Sequence, residues 1–196
     1  MSSSGTTDTA ARPAWRPAPA PRSARRRRIV WSAVGVVAVV IVVGLALGTG
    51  SSGARRAEAF SLANAAGGPA VAYRPPPAGG TATPTVVVFF ASWCPPCQAE
   101  LPAVAGAVVK MQAAHLPVRF LGIDGNDQAA AGLAFARHSG VTFPVGEDHA
   151  EVVAPELGAT GLPSTVFIDR TGHVAQVVQG PITVAALRAG VARLAG

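Results

Sequence analysis

The chain is 196 residues long with a formal net charge of +6, which leaves room for one compact domain plus appendages. The charge does not mark a nucleic-acid binder. Residues 1–28 hold seven arginines against Asp8 alone, leaving nine basic and nine acidic residues from position 29 onward. A nucleic-acid surface needs a basic stripe on the folded part.

Residues 1–28, rich in Ser, Thr, Pro, Ala and Arg, are expected to form a disordered, Arg-rich cytoplasmic tail. The uncharged run Ile29–Gly48 follows. Its length matches the roughly 30 Å of a bilayer's hydrocarbon, so a transmembrane anchor is expected there. Arg25–Arg28 on its N-terminal side place that end in the cytoplasm and the remainder outside. A cleavable signal peptide is the alternative, with small-x-small sites at 52–54 and 57–59. Residues 49–59 are expected as a tether and 60–196 as the folded domain.

Within that domain, residues 69–74 suggest a short edge strand. The run TVVVFFA, 85–91, predicts a strand buried on both faces. A helix should start at the CPPC, because proline suits the first helical position. Leu101, Val104, Val108 and Met111 then form one apolar stripe, and Pro102 should kink the helix. A second buried strand is expected over 117–124. Asp127 can cap a helix running to His138, stopped by Ser139–Gly140. An extended piece follows at 141–145 and a short helix at 151–157. Segments 164–170 and 173–179 should form a hairpin, and Thr183 should cap a last helix. The order predicts an α/β fold: a mixed sheet with helices on both faces, preceded by one transmembrane helix.

Cys94 and Cys97 are the only cysteines. Three roles compete for them. A structural metal site needs four ligands, and His115, His138, His149 and His173 lie singly along the chain, so no metal site is expected. A structural disulfide closing so short a loop adds only about 2 kcal/mol by chain entropy, against nearly 5 for a loop of about 100 residues. Dithiol redox chemistry accounts for the placement best. A helix N-terminus favours the thiolate, so Cys94, at the exposed start, would attack. Cys97, one turn later and more buried, would resolve. Pro95 and Pro96 carry no N–H, which leaves the Cys97 N–H as the main donor near the Cys94 sulfur.

WCPPC, followed by GLPSTVFID at 161–169, resembles the thioredoxin superfamily, and most of all its membrane-anchored TlpA/ResA-like branch. The likeness covers residues 58–196. FFASWCPPCQAELP resembles the branch's active-site strand and helix, with Pro102 as the kinking proline. The stretch from Phe120 to Asp148 resembles its added strand and helix. The resemblance implies that Pro163 is a cis-proline facing the disulfide. It also implies that Leu162 offers its backbone to an extended substrate, that Trp93 shields the site, and that Glu100, at i+3 from Cys97, accepts a proton from the resolving thiol. Val88 departs from the thioredoxin pattern of a buried aspartate. An apolar residue relays no proton, so that transfer falls to Glu100 or water.

The resulting expectation is an extracytoplasmic thiol–disulfide oxidoreductase that reduces exported proteins, apocytochrome c among the candidates. Its electrons would come from a transmembrane thiol carrier, and it would sit in the membrane through residues 29–48. No nicotinamide or flavin fingerprint occurs, so no bound cofactor is expected. A disulfide-forming oxidase, a peroxidase of the same fold and a non-enzymatic binding module are the alternatives.

Overall fold

The run Thr85–Phe90 leaves no face for water, and it forms a strand near the middle of the sheet with all six residues buried. The structure, a computed structural model, describes residues 55–195. Its elements in chain order are β1 (Phe60–Asn64), β2 (Val71–Tyr73), β3 (Thr85–Phe90), α1 (Pro95–Ala113), β4 (Arg119–Gly125), α2 (Ala129–His138), β5 (Val145–Asp148), α3 (Val153–Glu156), β6 (Ser164–Ile168), β7 (Val174–Gln179) and α4 (Val184–Ala195).

Seven strands run in the order β2-β1-β5-β4-β3-β6-β7. β3 pairs parallel with β4, and β4 with β5, each through a helical crossover. β6 is antiparallel to β3 and to β7, the expected hairpin. Alternation along the strands divides the core. Val86, Val88 and Phe90 face the helix stripe of Leu101, Val104 and Val108 together with Leu187 and Val191 of α4. Val87, Phe89, Leu121 and Ile123 face Phe60, Tyr73 and α3 instead. Burying a side chain such as Leu101 or Leu187 contributes about 1.5–3 kcal/mol, and these two are fully buried.

Local chemistry sets the ends of the elements. Pro95 and Pro96 open α1 at positions that need no N–H donor, and the helix continues through Pro102. Thr183 Oγ1 accepts the Ala186 N–H at the start of α4. α2 departs from expectation. Its N-cap is Gln128, with no side-chain cap, because Asp127 is engaged elsewhere. Of the extended piece expected at 141–145 only Val145 joins a strand, as the first residue of β5, since Pro144 has no N–H for the ladder. β1 was not anticipated. Ahead of it, Ala57 is buried and donates its N–H to the Gly172 carbonyl at 2.9 Å, so ordered structure reaches N-terminal of Phe60.

One expectation is corrected. Among the described residues no helix is long and apolar enough to cross a membrane. The longest, α1 with 19 residues, carries Gln98, Glu100, Lys110 and Gln112. The run 29–48 on which the anchor rested lies outside the described residues, as does the tail before it. The fold class of the described residues is therefore the thioredoxin-like mixed sheet with flanking helices, and the transmembrane helix expected ahead of it has no counterpart among them. The membrane-anchored assignment, the single-pass localisation, membrane attachment through residues 29–48 and the transmembrane thiol carrier are withdrawn with it.

Candidate active site

The β3 strand ends at Phe90, and the chain turns through Ala91, Ser92 and Trp93 into α1. Cys94 is the N-cap of that helix, in extended backbone conformation, and the Cys97 N–H points at its Sγ at 3.2 Å. The two cysteines are joined by a disulfide, with Cα atoms 5.2 Å apart. The prolines between them leave the Cys97 N–H as the donor at the sulfur, and the positive end of the α1 dipole adds to it. On reduction this setting favours the thiolate at Cys94.

The exposed start expected for Cys94 is not found. Cys94 is 3% exposed and Cys97 fully buried, while Trp93 beside them is 55% exposed. The turn that leads into Cys94 is held largely by non-local contacts. The Trp93 indole N–H donates to the Asn126 carbonyl at 3.0 Å. Ser92 donates its backbone N–H and its hydroxyl to the Asp127 carboxylate, and its carbonyl accepts from the Gln98 side chain at 2.6 Å. Burial works against ionisation of Asp127. The donors from Ser92 and Gln128 outweigh it and hold the carboxyl below the usual range.

Glu100 is buried on the α1 face one turn beyond Cys97. Its Oε2 accepts the Ile182 N–H at 2.5 Å and ties α1 to the segment before α4. Burial raises its pKa, and the Ile182 bond opposes the rise without cancelling it. Leu162–Pro163 is a cis peptide bond. Pro163 is buried, and Leu162 packs against both halves of the core, including the half that contains the cysteines. A groove of about 420 Å³ runs beside Leu162, lined by Glu151, Ala154, Pro155 and Thr160 among others. Of the histidines, His138 ends α2, His149 approaches Glu147, and His173 lies in the β6–β7 turn.

Sequence reasoning missed the contribution of Asp124, Asn126 and Asp127. The signal was there in part: strand alternation over FLGID puts Asp124 on the inward face with Phe120. Nothing in the sequence reveals that Asp127 reaches Ser92, 35 positions away.

A disulfide of the Cys-x-x-Cys type capping a helix at the end of a central strand, with a cis-proline loop on the same core, defines a thiol–disulfide exchange centre on a thioredoxin-like fold. The chain belongs to the AhpC/TSA family, whose model matches residues 54–177. It is similar to a thiol:disulfide interchange protein DsbE homolog of Paracoccus denitrificans, 37% identical over 98 residues, which covers 50% of this chain and 51% of that protein. It is also similar to the thiol-disulfide oxidoreductase ResA of Geobacillus kaustophilus, 30% identical over 97 residues, covering 48% and 53% respectively. The chain thus spans about half the length of the curated relatives it matches. Among solved structures, dsbF of MTB superposes with a TM-score of 0.57 at 31% identity, covering 69% of this chain and 94% of that one.

Proposed function

We propose that the domain is an extracytoplasmic thiol–disulfide oxidoreductase acting as a reductase. The observation that carries this reading is the Cys94–Cys97 disulfide seated at the α1 N-cap with the Cys97 N–H on the Cys94 sulfur. In the reduced protein the Cys94 thiolate attacks a substrate disulfide. A mixed disulfide forms, and one substrate sulfur leaves as a thiolate. Cys97 then gives up its proton and attacks the Cys94 sulfur. This expels the second substrate thiolate and restores the Cys94–Cys97 bond. A dithiol donor reduces the pair for the next cycle.

Glu100 is the proposed acceptor of the Cys97 proton. Its burial-raised pKa supports this role, and one carboxylate oxygen remains beyond the bond to Ile182. Trp93 is proposed to shelter the sulfurs. Leu162 is proposed to offer its backbone to an extended substrate, with Pro163 setting its direction and the adjoining groove taking a substrate side chain. The substrates proposed are disulfides of exported proteins, apocytochrome c among them. The relatives' names, thiol:disulfide interchange protein and thiol-disulfide oxidoreductase, support the chemistry.

Insulin reduction with a dithiol donor tests the reading. Wild-type protein accelerates it and Cys94→Ser does not; full activity in Cys94→Ser overturns the catalytic role. The direction is tested by the reduction potential. A value near about −270 mV or below supports the reductase, and one near about −120 mV makes the protein an oxidase.

A further inference from the structure

Exchange at a disulfide needs the attacked sulfur within reach, yet Cys94 is almost wholly covered. The Ser92–Trp93 turn leads straight into Cys94, and Asp127 holds that turn through the Ser92 N–H and hydroxyl. Pressed against Asp127 is a second carboxyl, Asp124, that none of the proposed catalytic steps uses. It is 2% exposed, and neither of its oxygens meets a donor among the described residues. Helix α2 closes directly over it: a Cβ at Gly132 would lie 1.6 Å from Oδ2.

The surroundings offer Asp124 no positive charge. β3 presents Phe90 at the register position beside it. The first four residues of α2 are alanines and Gly132. β5 presents Glu147 as its register partner, a further negative charge. His149, the one basic group nearby, has Nε2 3.7 Å from Glu147 and Nδ1 3.1 Å from the Asp127 carbonyl oxygen. Burial, followed by the charge of Asp127, pushes the Asp124 carboxyl up to about 7.

We propose that Asp124 is a positioning residue that gates access to the Cys94 sulfur: protonated, it lets Asp127 hold the Ser92–Trp93 turn closed, and ionised, it repels Asp127 and releases the turn. The protonated acid can donate to Asp127, so the pair carries one negative charge and Asp127 keeps its bonds to Ser92. Ionised, the pair is two carboxylates in contact with no cation, an arrangement that strongly disfavours the second charge. Asp124 is enclosed by α2 and cannot withdraw. Asp127 is half-buried and can, and its withdrawal gives up both Ser92 donors. The Trp93 anchor on Asn126, one residue from Asp127, loosens with it.

The inference rests on the oxidoreductase reading, but its test uses only the protein's own disulfide, so it fails or stands independently of insulin turnover. The rate of reduction of Cys94–Cys97 by dithiothreitol is measured across pH in full-length wild type and in Asp124→Asn. Taking the ratio of the two rates cancels the reductant's own titration. The ratio should rise about threefold or more between about pH 5.5 and about pH 8.5, with a midpoint near neutrality. A ratio flat across that range overturns the proposal. A second variant, Ser92→Ala, removes the hydroxyl half of the clamp, keeps the backbone N–H bond and leaves Asp124 in place. Its disulfide should be reduced faster than wild type at acid pH, shrinking the step. A Ser92→Ala profile that keeps the wild-type step overturns the proposal even if Asp124→Asn does not fold.

Discussion

Glu100 can be assigned two duties, and one pair of substitutions separates them. Its Oε2 accepts the Ile182 N–H at 2.5 Å, and both residues are buried. Glu100→Ala strands that N–H. An unsatisfied buried donor costs about 1–3 kcal/mol, and the lost bond had a carboxylate acceptor, the stronger kind. The expected loss is about 2 kcal/mol, a fall of roughly 1 M in the urea midpoint for a slope near 2 kcal/mol/M. Glu100→Gln keeps an oxygen for Ile182, so its stability should stay within about 1 kcal/mol of wild type. The amide cannot take a proton, however. Resolution of the mixed disulfide by Cys97 should slow by about a hundredfold, the lower end of general-base contributions. The two readouts are urea unfolding of the oxidised protein and stopped-flow decay of a mixed disulfide preformed on Cys94. An alanine variant as stable as wild type would refute the latch, and a glutamine variant resolving at the wild-type rate would refute the proton transfer. The pH dependence has a definite sign. Burial raises the Glu100 pKa, so the native state holds this proton more tightly than the unfolded chain. Its contribution to stability falls as pH rises from the ordinary carboxylate value through the native one, and Glu100→Gln lacks that slope.

Three further outcomes follow from the same geometry. Pro95→Gly adds an N–H near the Cys94 sulfur, so the reduced protein's Cys94 pKa, followed by thiolate absorbance, should drop below the wild-type value; equal values remove the argument. Gly132→Ala forces a Cβ onto the Asp124 carboxyl and should cost about 1–3 kcal/mol by overpacking despite better helix propensity. In an Asp124→Ala background the same change should stabilise by up to about 1 kcal/mol, a reversal visible in thermal melts. The Asp124 carboxyl is pushed up to about 7, so the native state keeps a proton that the unfolded chain has released. Stability from this group falls between about pH 4 and about pH 7, and Asp124→Asn should gain most at alkaline pH, on the order of up to 4 kcal/mol before Asp127 relaxes. A gain unchanged between acid and alkaline pH would contradict the assignment.

How far the sequence discloses this structure depends on whether its determinants are local. β3, α1 and the β6–β7 hairpin were legible because each is a continuous apolar run, a helical stripe or a tight turn with its own signature. Cys94–Cys97 and Leu162–Pro163 were legible as short motifs. β1 was not. Of FSLAN only Phe60 is fully buried, and the strand exists through its pairing with β2 and β5. The start of β5 was displaced by Pro144, whose missing N–H moves the ladder to Val145. The burial of Cys94 was misread for the same reason that Asp127 was taken for a helix cap. Both are set by tertiary contacts, such as the Asn126–Asp127 turn meeting Ser92 and Trp93, that have no counterpart in local pattern. The anchor expected at 29–48 rested on the length of an uncharged run and the arginines beside it, and has no support among the described residues.

The most direct check on the dithiol cycle is mass spectrometry of the covalent adduct left after the reduced single-cysteine variants meet a disulfide-bonded protein substrate. Cys97→Ser should accumulate a mixed disulfide at position 94, and Cys94→Ser should yield essentially none. Adduct at position 97 in comparable amount, or no adduct in Cys97→Ser, would mean that the sulfur at the helix cap is not the one that attacks.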